Sequence, residues 1–156
     1  MLFQFFMYMH IFSVFLLLSA IGITTYSSVR AGRASDVKEF GIFLKMGDTG
    51  GMLAGLSGVL IGIFGVLTAW EIGYRLTATW LILAYIVVAT AVIVPVFTFK
   101  RWGERAAELM PEAEAKGEVL AEQRDLASGP RVRAAEAFLI GLVVFVLYVM
   151  IYKPGL

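Results

Sequence analysis

The sequence predicts an all-α fold, an integral membrane protein whose four helices pack as an antiparallel transmembrane bundle. Four long uncharged stretches divide the chain, and 60% of its 156 residues are apolar while 16% are charged. The loops between these stretches carry very unequal charge. A bilayer core of about 30 Å needs roughly 20 apolar residues to cross it as a helix. Four such helices leave no room for a large soluble domain, so we expect a single membrane domain over residues 1–156.

The predicted transmembrane helices cover residues 2–26, 52–70, 76–99 and 134–152. The first is expected to be a retained helix, because no basic residue precedes Arg30 and its apolar run exceeds the about 7–15 residues of a signal peptide. A turn at residues 48–51 is expected before the second helix, with Asp48 or Thr49 as its N-cap. Pro95 is expected to kink the third helix near its end.

Residues 102–127 form the main polar segment of the chain. They are rich in Ala, Leu, Glu and Arg, which favour helices, but Pro111 and Gly117 interrupt the run. The pattern therefore predicts a helical loop of one or two short helices between the third and fourth spans.

Basic residues orient the predicted bundle. Of the 13 Lys and Arg residues, only Arg75 and Lys153 lie outside the first and third connections. The positive-inside rule therefore places both long loops in the cytoplasm and both termini outside, in a multi-pass protein of a bacterial inner membrane. A net charge of +1 gives no sign of a nucleic-acid partner. The expected partners are the lipid bilayer and either other membrane subunits or further copies of the chain.

His10 is the only histidine, and it lies in the first predicted helix. With an outward N-terminus it is roughly 10 Å below the outer end. A neutral imidazole there could ligate haem iron, relay a proton, or only hydrogen-bond a neighbouring helix. His10 would be a metal ligand only if haem, as haem b, is bound, since the predicted spans hold no other cluster of ligands. The second ligand would come from Met7, Met9, Met150, a tyrosine or another subunit.

Five glycines follow one face of the second helix at spacings of four, three, four and three residues: Gly51, Gly55, Gly58, Gly62 and Gly65. Such faces allow close helix packing in membranes, which is the main interpretation. The alternative is space for a flat ring such as a porphyrin or a quinone. Gly62, Gly65, Tyr85 and Tyr148 are expected at about the depth of His10. These four and His10 are the predicted cofactor-binding residues.

Four segments of the chain resemble known membrane proteins: MYMHIFSVFLLLSAIG, GLSGVLIGIFG, TWLILAY and VIVPVF. The chain resembles a bacterial family of small predicted integral membrane proteins without an assigned function. More distantly, its helix-one histidine is similar to that of copper-resistance-D membrane proteins and HemJ-type protoporphyrinogen oxidases. The latter resemblance implies haem at His10. That family has a tryptophan seven residues after its histidine, whereas this chain has Leu17.

The sequence offers no nucleophile–base pair, no paired carboxylates within the spans, and no cysteine. We therefore expect a non-catalytic structural or accessory subunit of a larger membrane assembly. The alternative is a haem-b- or quinone-linked membrane redox protein using His10, with a small transporter as a weaker third hypothesis.

Overall fold

The computed structural model describes residues 1–154, except for the side chain of Val96, and this part of the chain is all-helical. The six helices are α1 (Leu2–Gly32), α2 (Val37–Ile72), α3 (Thr79–Glu108), α4 (Met110–Lys116), α5 (Ala121–Ser128) and α6 (Pro130–Tyr152). The helical segments that include α1, α2, α3 and α6 are long and apolar enough to cross a membrane. The predicted all-α class and the four long apolar helices are confirmed.

Helix α2 begins at Val37, well before the predicted start at residue 52. Its N-cap is Asp36, whose carboxylate accepts a hydrogen bond from the Glu39 N–H at 2.8 Å. The turn predicted at residues 48–51 is wrong, because those residues lie inside the helix. Hydropathy marks only the apolar part of a helix, whereas a helix satisfies its own backbone groups whatever its side chains are. Residues 38–48, which include four charged side chains, therefore extend the same helix.

The ends of α1 and α3 lie further along the chain than hydropathy indicates, whereas α6 begins four residues earlier than predicted, at Pro130, and ends at the predicted Tyr152. Helix α1 continues to Gly32, and α3 continues past Pro95 to Glu108. The short helices predicted between residues 102 and 127 are present as α4 and α5. Gly117 ends α4 with a φ of 71°, a left-handed conformation that glycine adopts without steric cost.

The four long helices contact one another in chain order. Helix α1 packs along α2, α2 packs on α3, and α3 packs on α6. No extended contact joins α1 to α6 in the described part of the chain. The arrangement is therefore an open row of long helices, in which α1 and α6 form the two ends.

A compact core lies where α4 and α5 meet the ends of α1, α2 and α3. Phe40 is at its centre and is fully buried. Helix α5 is fastened to α1 by two hydrogen bonds. The Ser28 hydroxyl donates to the Ala127 carbonyl at 2.8 Å, and the Arg124 guanidinium donates to the Gly32 carbonyl at 3.1 Å. An added Cβ at Gly32 would overlap Ser128, so this contact requires a glycine.

Candidate functional site

A cavity of about 500 Å³ lies between α2 and α3. Helix α1 contributes His10 to its wall, α6 contributes Met150, and Lys153 follows directly after α6. Gly58, Gly62 and Gly65 of α2 line the cavity, so the α2 backbone is uncovered by side chains at these three positions. The volume falls within the roughly 300–1,000 Å³ of small-molecule sites. Most of the lining is aliphatic, with a few polar groups, as is usual for ligand sites.

The His10 ring is held in one orientation by α2. Its Nδ1 lies 3.1 Å from the Ile61 carbonyl oxygen. A carbonyl can only accept a hydrogen bond, so Nδ1 is assigned the proton and Nε2 retains a free lone pair. A Cβ added at Gly65 would lie 3.0 Å from His10 Cε1, so Gly65 gives the ring its place against α2. His10 can therefore offer a basic nitrogen while its other nitrogen is anchored.

Two donors beside the cavity have no hydrogen-bond partner among the described residues. They are the Trp80 indole Nε1 and the Tyr85 hydroxyl, both on α3 and both buried. Both residues line the cavity, and Trp80 is only 4% exposed. An unsatisfied buried donor costs about 1–3 kcal/mol. A ligand with oxygen acceptors would satisfy both groups.

Lys153 connects the end of α6 to the connection between α2 and α3. Its ammonium donates to the Tyr74 hydroxyl at 2.7 Å and lies 4.7 Å from the Tyr74 ring centroid. It is also 5.7 Å from the centroid of Trp80, which packs edge-on against Tyr74. Cation–π attraction and the hydrogen bond together hold the three side chains at one end of the cavity. We call Lys153, Tyr74 and Trp80 the cation–aromatic cluster.

The structure brings four of the five predicted cofactor-binding residues to this cavity. His10, Gly62, Gly65 and Tyr85 line it. Tyr148 does not, because it is 53% exposed and pairs with Tyr152 at a ring distance of 4.6 Å. Depth in a helix does not determine which face a side chain occupies. The role of the four residues in binding a cofactor stays a prediction.

Only two of the five glycines predicted to pack helices, Gly58 and Gly65, closely approach another helix of the described chain. A Cβ at Gly58 would meet Val92 of α3, and Gly65 meets His10. Gly51, Gly55 and Gly62 have no atom of another element within 4 Å of an added Cβ. Gly50, which is outside the predicted stripe, makes a close approach to α1, with its added Cβ 2.8 Å from the Thr24 side chain.

Sequence reasoning did not assign Trp80, Tyr74 or Lys153 to the site. Trp80 and Tyr74 fit the pattern of aromatic residues at a membrane interface, and that pattern carries no information about a cavity. Lys153 is distant in sequence from Tyr74, and no motif signals that they meet. The proximity follows only from the packing of α6 on α3.

The lining of the cavity includes residue types that ligate haem iron. If haem were bound, His10 would hold its iron through Nε2, and Met150 of α6, which lines the same cavity, would be the candidate second ligand. Without a porphyrin, a metal ion would need all its ligands from protein side chains. The described residues hold no group of three or more His, Cys, Asp or Glu that could ligate one.

Comparison with protein-family models, with curated proteins and with solved structures finds no match to this chain. The class of protein therefore rests on fold and cavity together. Four long apolar helices indicate a multi-pass membrane protein, and the cavity between α2 and α3 gives it a ligand-sized site.

Proposed function

We propose that this protein binds a lipophilic, ring-bearing ligand in the cavity between α2 and α3, as a multi-pass protein of a bacterial cytoplasmic membrane. The observation that carries the proposal is a pair of buried donors, Trp80 Nε1 and Tyr85 OH, which have no partner among the described residues and lie beside a mostly aliphatic cavity. Polar groups placed sparsely in an apolar pocket orient a ligand and make binding specific.

Two further features support a flat ligand. Glycines on α2 allow a ring to approach the helix backbone closely, and His10 presents a free Nε2 at the same cavity. If the ligand is haem b, His10 Nε2 would hold its iron and Met150 is the candidate second ligand. The haem would supply one-electron chemistry, while the protein would position the ring and exclude water.

The proposal includes an antiparallel bundle with both termini outside. Contacts support the antiparallel part, because Phe6 meets Phe64 near one end of α1 while Arg30 pairs with Glu39 near the other. The orientation rests on the basic loops. Since the chain lacks cysteine, single Arg75→Cys and Lys38→Cys variants can report on it. An impermeant maleimide applied to spheroplasts should label the first and spare the second, and the reverse pattern would overturn the orientation.

Two glycine substitutions test the ligand site. Gly62 lines the cavity and Gly55 does not, yet neither has an obstacle near an added Cβ. Gly62→Leu should fill the cavity, so the purified protein should lose a ligand that co-purifies with the wild type. Gly55→Leu is the matched control and should retain it. Absorption spectra and mass spectrometry of organic extracts measure the ligand, and equal ligand content in both variants would contradict the proposal.

A second candidate function is that of a non-catalytic accessory subunit in a larger membrane assembly. Gly51 and Gly55 favour it, because they offer a small-residue surface on α2 that no other described element covers. Cross-linking in native membranes tests it with the same two variants. Gly55→Leu should reduce capture of a stoichiometric partner or a second copy, whereas Gly62→Leu should not. Undiminished capture with Gly55→Leu would remove this candidate.

A further inference from the structure

Resting on the proposed ligand cavity, we infer that its ligand is a lipid-soluble quinone, with the quinone ring between α2 and α3 near Trp80, Tyr85 and His10. The inference concerns binding of the ring and its tail. It follows from the hydrogen-bonding character of the unpaired groups and from the length of the apolar lining.

The unpaired groups on α3 favour a ligand with two separate acceptors. Trp80 can only donate through its Nε1, and the Tyr85 hydroxyl is available to donate. Their Cα atoms are five residues apart, which is roughly 7.5 Å along the helix axis. A quinone carries carbonyl oxygens on opposite sides of its ring and has no donor of its own. Haem presents oxygen acceptors only on its propionates at one edge, so it satisfies two separated donors less well.

His10 adds the complementary group. Its Nε2 has a free lone pair because the Ile61 carbonyl fixes the proton on Nδ1. The hydroxyl of a quinol can donate to this nitrogen, which a quinone carbonyl cannot do. The cavity therefore offers donors to the oxidised form and an acceptor to the reduced form, so both forms can bind.

The apolar lining matches an isoprenoid tail. On α3 the lining extends from Trp80 to Ile93, roughly 20 Å along the helix, through Val88 and Val92. None of these three aliphatic side chains offers a hydrogen bond, so this part of the cavity suits a hydrocarbon chain. The polar groups of α3 are confined to the other end, which separates a place for the ring from a place for the tail.

The test titrates the purified full chain in detergent with ubiquinone bearing two isoprenoid units, and with the corresponding menaquinone. Tryptophan fluorescence and calorimetry measure binding. We expect saturable binding, weakened roughly five- to tenfold in Tyr85→Phe and in Trp80→Phe because each loses one hydrogen bond. Tyr148→Phe and Trp70→Phe, at exposed positions outside the cavity, make the same chemical changes and should bind as the wild type does.

A third variant separates the two redox forms. His10→Phe keeps a ring against Gly65 but removes both nitrogens, so quinol affinity should fall roughly fivefold while quinone affinity changes little. Absence of saturable quinone binding would overturn the inference, as would equal affinities in Tyr85→Phe and Tyr148→Phe. Thermal unfolding of each variant confirms that it is folded, and Trp80→Phe serves if Tyr85→Phe does not fold.

Failure of this inference is distinguishable from failure of the proposed function. A Soret band in the purified protein that Gly62→Leu abolishes, together with no quinone binding, would retain the cavity and exclude the quinone. If Gly62→Leu and Gly55→Leu match the wild type in both ligand content and quinone binding, both proposals are overturned.

Discussion

Gln123 and Trp80 are both buried polar side chains, one near each end of the molecule. Gln123 is fully buried in α5; it donates to the Ala106 carbonyl at 3.1 Å and accepts from the Leu120 N–H at the same distance. Trp80, at 4% exposure, has no partner for its indole N–H among the described residues. The two residues are similarly buried. The Gln123 amide has hydrogen-bond partners, whereas the Trp80 indole N–H has none among the described residues.

The same contrast extends to their surroundings. Around Gln123, α5 is fastened to α1 through Ser28 and Arg124, and small residues fill the core. Around Trp80 there is a cavity, and Tyr85 also lacks a partner. Buried polar groups in native proteins are usually paired, so the unpaired ones need an explanation. The first region is therefore a paired core, whereas the second contains donors that the proposed ligand would pair.

The largest expected effect is at Gln123. Gln123→Ala should lower the free energy of unfolding by about 2–4 kcal/mol, because it opens a hole and leaves the Ala106 carbonyl and the Leu120 N–H without this partner. Gln4→Ala, at an exposed position in α1, is the control and should change stability little. Denaturant unfolding in detergent measures both, and equal effects would mean that this region is not a folded core.

A smaller loss is expected at the contact between α1 and α5. Gly32→Leu places a side chain where Ser128 lies, so it should cost about 1–3 kcal/mol and detach α5. Gly22→Leu is the matched control in the same helix, since nothing lies within 4 Å of its added Cβ. Limited proteolysis should cut residues 117–129 faster in Gly32→Leu alone. Similar cleavage of the two variants would contradict the close contact.

The smallest effect, and the one with opposite sign, is expected at Tyr85. In ligand-free protein Tyr85→Phe removes an unsatisfied hydroxyl, so it should be neutral or stabilise by up to about 1 kcal/mol. Tyr148→Phe should leave stability unchanged, because that hydroxyl is on an exposed side chain. Thermal unfolding after ligand extraction checks the difference. A clear loss of stability in Tyr85→Phe would show that its hydroxyl has a structural partner.

Sequence alone was sufficient for the parts of the fold that depend on hydropathy. The four apolar stretches predicted the four long helices because a membrane demands apolar length. The same signal missed the start of α2 at Val37, since residues 38–48 are helical without being uniformly apolar. A helix cap at Asp36, with Glu39 three residues later, was the local pattern that could have located it.

The residues of the site could be predicted only in part from the sequence. His10 and Tyr85 could be chosen because a lone histidine and a tyrosine at one depth are unusual within apolar helices. Tyr148 satisfied the same criterion yet lies outside the cavity, because depth leaves the rotation of a helix undetermined. The cation–aromatic cluster could not be found at all, since it joins residues that only tertiary packing brings together.

Helix α2 is one uninterrupted element of 36 residues, and at 1.5 Å per residue it is roughly 54 Å long. Phe40 near its start is buried in the satisfied core, and Gly65 near its other end supports His10 at the cavity. Phe40 and Gly65 are 25 residues apart in this one helix, which separates them by roughly 38 Å along its axis. The same backbone therefore sets the spacing between the satisfied core and the wall of the cavity, with no loop between the two regions.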